Sequence, residues 1–261
     1  NASHRSVTFD YMDAPAARTF VQIDKRCINE KLAPNTGKIK ECRNSSVHPN
    51  AYPIIIALDV TGSMRDIPKY FLAKLLTKLI SEIQDKGFND PAIMIIAIGD
   101  HENDRAPLQV SEFESGDEQL DMWMRLIWPE GGGGGNGGES YHLAWAYASN
   151  FTTSDLFEQK QQKGLLITIG DEPCLSELPS RDQQNLFGPG EWKDETSVSL
   201  LSKVQKKYDV FHLHIMQGQV GPSALGGWKE LLGENTIPVH SYESTADEIS
   251  KLVLQGVSKL G

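Results

Sequence analysis

The chain is poor in the residues that mark several common classes of protein. It has three cysteines in 261 residues, Cys27, Cys42 and Cys174, too few and odd in number for a secreted disulfide framework. A reducing compartment and a cytoplasmic location are the expectation, with a Cys27–Cys42 bridge left open. No apolar run approaches the roughly 18 residues that would cross a bilayer as a helix, so no membrane partner is expected. Basic residues number 25 against 35 acidic ones, a net charge of −10. With no Lys/Arg cluster to offset it, that charge repels a phosphate backbone and argues against a nucleic-acid partner. No lysine follows the glycine run Gly131 to Gly138, which excludes a P-loop. No Ser/His/Asp or Cys/His set stands out, so catalysis is not the leading expectation. Asn44-Ser45-Ser46 and Asn150-Phe151-Thr152 fit the N-glycosylation acceptor pattern, which is short enough to arise by chance.

What is present is an ordinary globular composition, 39% hydrophobic and 23% charged, in a chain long enough for one large domain with a substantial core. Residues 1–50 are polar, carry Pro15, Pro34 and Pro49, and hold no sustained period. They read as an extension with one short strand near Phe20 to Ile23. Residues 51–261 alternate strand and helix signals: strands at 54–59, 92–99, 107–113, 164–170, 209–215 and 236–240, and helices at 66–86, 117–128, 139–150, 197–207, 222–232 and 245–260. Such alternation predicts an α/β fold, a doubly wound and mainly parallel sheet with helices on both faces.

The first helix shows the logic. Ile67, Phe71, Leu75, Leu79 and Ile83 recur every fourth residue, with Leu72, Leu76 and Ile80 widening the stripe, which is the pattern of a helix packed on a sheet. The runs at 54–58 and 92–98 are apolar throughout, as expected of central strands covered on both faces. The 107–113 segment follows its predecessor too soon for a helical crossover and should pair antiparallel at an edge. Residues 179–195, with Gly188, Pro189 and Gly190, read as a long irregular loop. His212 and His214 alternate on one strand and share a face, where packing against a helix is favoured over a second metal. The five tryptophans, at 123, 128, 145, 192 and 228, are mostly expected in or near the core.

The chemistry concentrates at the end of the first core strand. Asp59, Thr61 and Ser63 sit at alternate positions and point one way if the chain stays extended, with Gly62 allowing a turn. One carboxylate and two hydroxyls suit a hard divalent cation and leave it incompletely coordinated. Taken alone, the triplet also fits a turn that caps the next helix. Downstream, however, GGGGGNGG runs into Glu139-Ser140, and the strand at 164–170 runs into Asp171-Glu172-Pro173. Asp59, Asp100 and Asp171 all follow strand ends, where doubly wound sheets bind ligands.

Together these segments resemble the metal-ion-dependent adhesion site (MIDAS) of von Willebrand factor A (VWA) domains, D-x-[ST]-x-S followed by a Ser or Thr after a Gly-rich loop and an Asp after the next core strand. The resemblance covers about residues 50–261, and the stretches Gly99 to Ser115, GGGGGNGGES and IGDEP look like stand-alone bacterial VWA proteins. Thr61 stands where many members have Ser, Ser140 where most have Thr, and GDEP replaces the commoner DG. The resemblance implies a VWA/Rossmann-like fold with one antiparallel edge strand and a Mg²⁺ site, Mn²⁺ or Ca²⁺ being alternatives. Its ligands would be Asp59, Thr61, Ser63, Ser140 and Asp171, with Asp100, Glu139 and Glu172 nearby as outer contacts. It further implies an adaptor that recruits an acidic side chain of a protein partner, and coupling of that binding to the last helix. Two alternatives stand beside it. One is a scaffold that uses the metal only for stability. The other is a Mg²⁺-dependent phosphatase-like hydrolase with Asp59 as nucleophile, disfavoured because Thr61 cannot serve as the general acid expected two residues on. Neither the partner nor the oligomeric state follows from the sequence.

Overall fold

The computed structural model describes residues 28–132 and 135–260. The expected strand at Phe20 to Ile23 and the Cys27–Cys42 bridge lie outside the described residues. Among these, the strands are β1 (Lys40–Cys42), β2 (Tyr52–Asp59), β3 (Pro91–Ile98), β4 (Leu108–Val110), β5 (Thr152–Ser154), β6 (Gly164–Gly170), β7 (Glu177–Leu178), β8 (Glu195–Thr196), β9 (Tyr208–Ile215) and β10 (Thr236–Val239). The helices are α1 (Ile67–Tyr70), α2 (Leu76–Asp85), α3 (Asp117–Leu126), α4 (His142–Phe151), α5 (Asp155–Lys160), α6 (Ser180–Phe187), α7 (Ser197–Val204), α8 (Gly221–Leu232) and α9 (Thr245–Ser258).

Six strands form one sheet in the order β10-β9-β6-β2-β3-β4, parallel throughout except for β4, which pairs antiparallel with β3. Strand alternation divides the core in two. Ile54, Ile56 and Leu58 join the apolar residues of α2, α3 and α9, whereas Ile55 and Ala57 join those of α4, α7 and α8. Burial on both faces is what an unbroken apolar strand requires. From β2 the chain builds outward through β3 and β4, then returns to the other side of β2 with β6, β9 and β10. The order reverses between β2 and β6, so the crevice beyond their carboxyl ends is the ligand position of this architecture. Asp59 ends one of those strands and Asp171 follows the other.

Several expected elements differ in detail. The helix at 66–86 is three pieces, α1, a π-turn at Phe71–Leu75 and α2. A strict four-residue repeat drifts around a 3.6-residue helix; the wider π-turn absorbs the drift, and Ile67, Phe71, Leu75, Leu79 and Ile83 all stay buried. The helix expected from 139 starts at His142, because Glu139 pairs its backbone with Pro173 and Leu175 instead. Residues 179–195 are not an irregular loop. Their first half is α6, which buries Leu186 and Phe187 and packs Phe187 on Phe151 and Trp192. The short pairs β1–β5 and β7–β8 carry two or three residues per strand, too few to leave a sequence period.

Candidate metal centre

Asp59 is fully buried at the end of β2. The Thr61 backbone N–H (2.9 Å) and hydroxyl (2.6 Å) both donate to its Oδ1, and the Tyr141 hydroxyl donates to its Oδ2 at 2.5 Å. Thr61 Oγ1 lies 3.4 Å from Ser63 Oγ, which in turn donates to Asp171 Oδ1 at 2.7 Å. Asp171 Oδ2 accepts the Val220 N–H at 3.0 Å. Four of the five expected ligands, Asp59, Thr61, Ser63 and Asp171, thus form one hydrogen-bonded chain across the β2/β6 crevice. Burial pushes the Asp59 carboxyl up to about 7; the Thr61 and Tyr141 hydrogen bonds oppose the rise and the Asp171 carboxylate adds to it.

Ser140 is placed differently. Its hydroxyl is bonded to the His101 backbone N–H (2.9 Å) and ring Nδ1 (2.7 Å), while the next residue, Tyr141, reaches Asp59. Asp100 shapes its own turn, accepting from the Glu102 N–H and the Asn103 side chain and donating its N–H to Asp104. Glu139 is buried and its Oε2 has no hydrogen-bond partner. Burial first, then the charges of Asp59, Asp104, Asp100 and Glu172, pushes it up to about 11. The Glu172 carboxyl is raised by burial and by Asp171, and its carbonyl accepts the Trp228 indole N–H at 2.8 Å.

A cavity of about 500 Å³ opens above this chain. Its wall is largely backbone: Gly62, Ser63, Gly132, Gly135, Gly137 and Gly138, with the Glu139, Glu172 and Gln219 side chains. Gly62 serves close approach rather than a turn. Its N–H donates to the Gly132 carbonyl, and a Cβ there would stand 2.9 Å from that oxygen and 3.0 Å from the Gly131 oxygen. The Gly-rich segment is thereby tied to the Asp59 turn.

The donor set fits a hard cation. It consists only of oxygens, and the charge acting on the buried Asp59 is that of another carboxylate, so positive charge is what the cluster lacks. Among the described residues no group of three or more His, Cys, Asp or Glu side chains is arranged to hold a metal; the hydroxyls complete this set, as the spacing of Asp59, Thr61 and Ser63 suggested.

Tyr141 and two glycines escaped the sequence reading. Gly170, at the end of β6, lets the Tyr141 ring and hydroxyl lie against the strand, and Gly218 does the same for the Asp171 side chain. A signal for Tyr141 was available, since it directly follows Ser140. Gly170→Ala would drive a methyl group into the Tyr141 hydroxyl. A loss of about 1–3 kcal/mol is expected, measured as a fall in the urea midpoint.

The histidine pair packs on a helix, as favoured from the sequence. His212 stacks on Trp228 of α8 (3.5 Å between centroids, 8° between planes), and His212 Nε2 meets His214 Nδ1 at 3.1 Å. Burial, reinforced by His214, holds His212 well below the ordinary imidazole range. A depressed folded value means that its contribution to stability is complete above the unfolded value of about 6.5 and is lost as pH falls below it. His212→Gln is therefore expected to make the decline of stability below pH ~6.5 shallower by up to about 1.4 kcal/mol per pH unit, measured by urea melts between pH 7.5 and 5.

No protein-family sequence model and no curated protein sequence matches the chain. Solved structures do resemble it. The pilus adhesin SpaC from Lactobacillus rhamnosus GG, in its open conformation, superposes with a TM-score of 0.56 at 10% identity, covering 85% of this chain and 31% of SpaC. A second SpaC crystal form gives 0.52 at 11% identity, covering 84% and 31%. BatB from Bacteroides thetaiotaomicron gives 0.49 at 15% identity, covering 80% of this chain and all of BatB. The chain thus spans about a third of SpaC's length, and at these identities the likeness is one of fold. The class so defined is a doubly wound, VWA/Rossmann-like α/β domain with one antiparallel edge strand.

Proposed function

We propose that this chain is a metal-dependent protein-interaction module of MIDAS type. The observation that supports it most is the single hydrogen-bonded chain Tyr141–Asp59–Thr61–Ser63–Asp171 at the sheet's switch point, lying under a cavity walled by glycine backbone. Asp59, Thr61, Ser63 and Asp171 would hold Mg²⁺, with Ser140 joining from the Gly-rich segment. When bound, the cation supplies an electrophilic position that attracts a carboxylate oxygen of a partner. The protein's own groups do the remainder. Tyr141 and the Thr61 N–H fix the Asp59 carboxylate, Val220 fixes Asp171, and the side-chain-free glycine wall admits partner backbone. The adhesin role in SpaC's name agrees with an interaction module.

The test is a pull-down from source-cell extract with the folded domain in Mg²⁺, in EDTA, and as Asp59→Ala in Mg²⁺. A protein retained only by the wild type in Mg²⁺ is the expected result. Equal retention in all three would remove the metal from recognition.

A further inference from the structure

Behind Ser140 stands a buried row of polar side chains drawn from three separate segments. Ser140, His101 and Asp182 are 0%, 4% and 5% exposed. Ser140 Oγ lies 2.7 Å from His101 Nδ1, and His101 Nε2 lies 3.9 Å from Asp182 Oδ2. Asp182 belongs to α6, so the segment expected to be irregular delivers a carboxylate to the back of the metal centre. Around the row, Arg181 Nε meets Asp182 Oδ1 at 3.3 Å, and the His142 ring stands edge-on to His101 with centroids 5.5 Å apart. His142 is itself engaged, through Nε2, with the Glu177 carbonyl.

Ser, His and Asp are the residue types of an acyl-transfer nucleophile, but this row is not built for one. All three side chains are buried, and the cavity is lined by Gly138 and Glu139 rather than by Ser140. The His101 orientation instead resembles the outer support that fixes a metal-ligating side chain. A ring nitrogen facing a carboxylate carries the proton. With that proton on Nε2, Nδ1 is an acceptor and Ser140 must donate its O–H to it. The His101 backbone N–H occupies one Ser140 lone pair, and one lone pair remains.

We infer that His101 and Asp182 are positioning residues of the metal centre: Asp182 holds the His101 proton on Nε2, His101 Nδ1 takes the Ser140 hydroxyl proton, and the remaining Ser140 lone pair is left as an oxygen donor to the cation. This rests on the metal-dependent reading above. It makes α6, which is remote from the Asp59 turn in sequence, part of what sets cation affinity.

The experiment uses the full chain as wild type, Asp182→Ala, Asp182→Asn, Ser140→Ala and the Ser140→Ala/Asp182→Ala double variant. Mn²⁺ affinity is read by electron paramagnetic resonance and the His101 tautomer by ¹⁵N NMR, with melts confirming folding. Expected are a neutral wild-type His101 protonated at Nε2, and about tenfold weaker Mn²⁺ binding in Asp182→Ala. Asp182→Asn, whose amide oxygen still accepts, should recover most of the affinity, and Asp182→Ala should have no further effect once Ser140 is alanine. A His101 proton on Nδ1 overturns the proposal on the wild type alone, even if the alanine variant fails to fold. So does an equal loss from Asp182→Ala with and without the Ser140 hydroxyl, or unchanged affinity. A wild type that binds no Mn²⁺ overturns the metal-centre reading itself, a different failure from any of these.

Discussion

In EDTA at pH 8, Asp59→Asn is expected to melt at a higher temperature than the wild type, and in excess Mg²⁺ at a lower one. The first half follows from burial. Asp59 has no exposed surface and its carboxyl is pushed up to about 7, chiefly by desolvation. Its folded value lies above the unfolded one, so ionisation costs stability as pH rises from about 4 through 7, and the full cost stands at pH 8. A neutral amide of the same shape avoids that cost. Allowing for weaker hydrogen bonds from Thr61 and Tyr141, the gain is on the order of 2 kcal/mol. The second half follows from mass action. A cation at a hundred times its dissociation constant stabilises the native state by about 2.7 kcal/mol, or about 5–10 °C in a chain of this size, and the variant forfeits that gain. Differential scanning calorimetry of both proteins in both buffers measures all four values. A wild type with no Mg²⁺ response, or a variant that responds equally, would remove Asp59 from the cation site.

Trp228→Ala is expected to be the most destabilising single truncation outside the central strands, by about 3–5 kcal/mol. The indole is 1% exposed. It stacks on His212, meets Tyr141 and Trp145 edge-on at 5.1 and 6.2 Å, and donates to the Glu172 carbonyl. One side chain therefore ties α8 to α4, to β9 and to the residue after Asp171. Trp228→Phe keeps most of the apolar contact and loses the hydrogen bond, so it should fall between wild type and alanine. Urea titration of the three proteins measures the series. A cost below 1 kcal/mol for the alanine variant would show that the ring is not the tie described.

The legible parts of this fold are those with a long period or a fixed spacing. Strands β2, β3 and β6 are unbroken apolar runs, and β4 followed from the shortness of its connection. Asp59, Thr61 and Ser63 were found because strand geometry turns a sequence spacing into a shared direction, and Asp171 because it follows a core strand. What the sequence concealed depends on contacts between distant segments. The π-turn at Phe71–Leu75 is decided by packing, and α6 has only two turns between Pro179 and Gly188. Tyr141 donates to a residue 82 positions away, and Gly170 matters because of the ring laid against it. The hydroxyl of Ser140 was expected among the ligands, but its bond to His101 emerges only when the β3 end meets the start of α4.

The most direct measurement is a titration of Mn²⁺ into the folded wild-type chain and into Asp59→Asn, followed by electron paramagnetic resonance of the free ion. The arrangement of Asp59, Thr61, Ser63 and Asp171 predicts one saturable site, displaced by Mg²⁺ and lost in the variant. Binding of equal stoichiometry and affinity in both proteins, or no binding by the wild type at millimolar Mn²⁺, would contradict it.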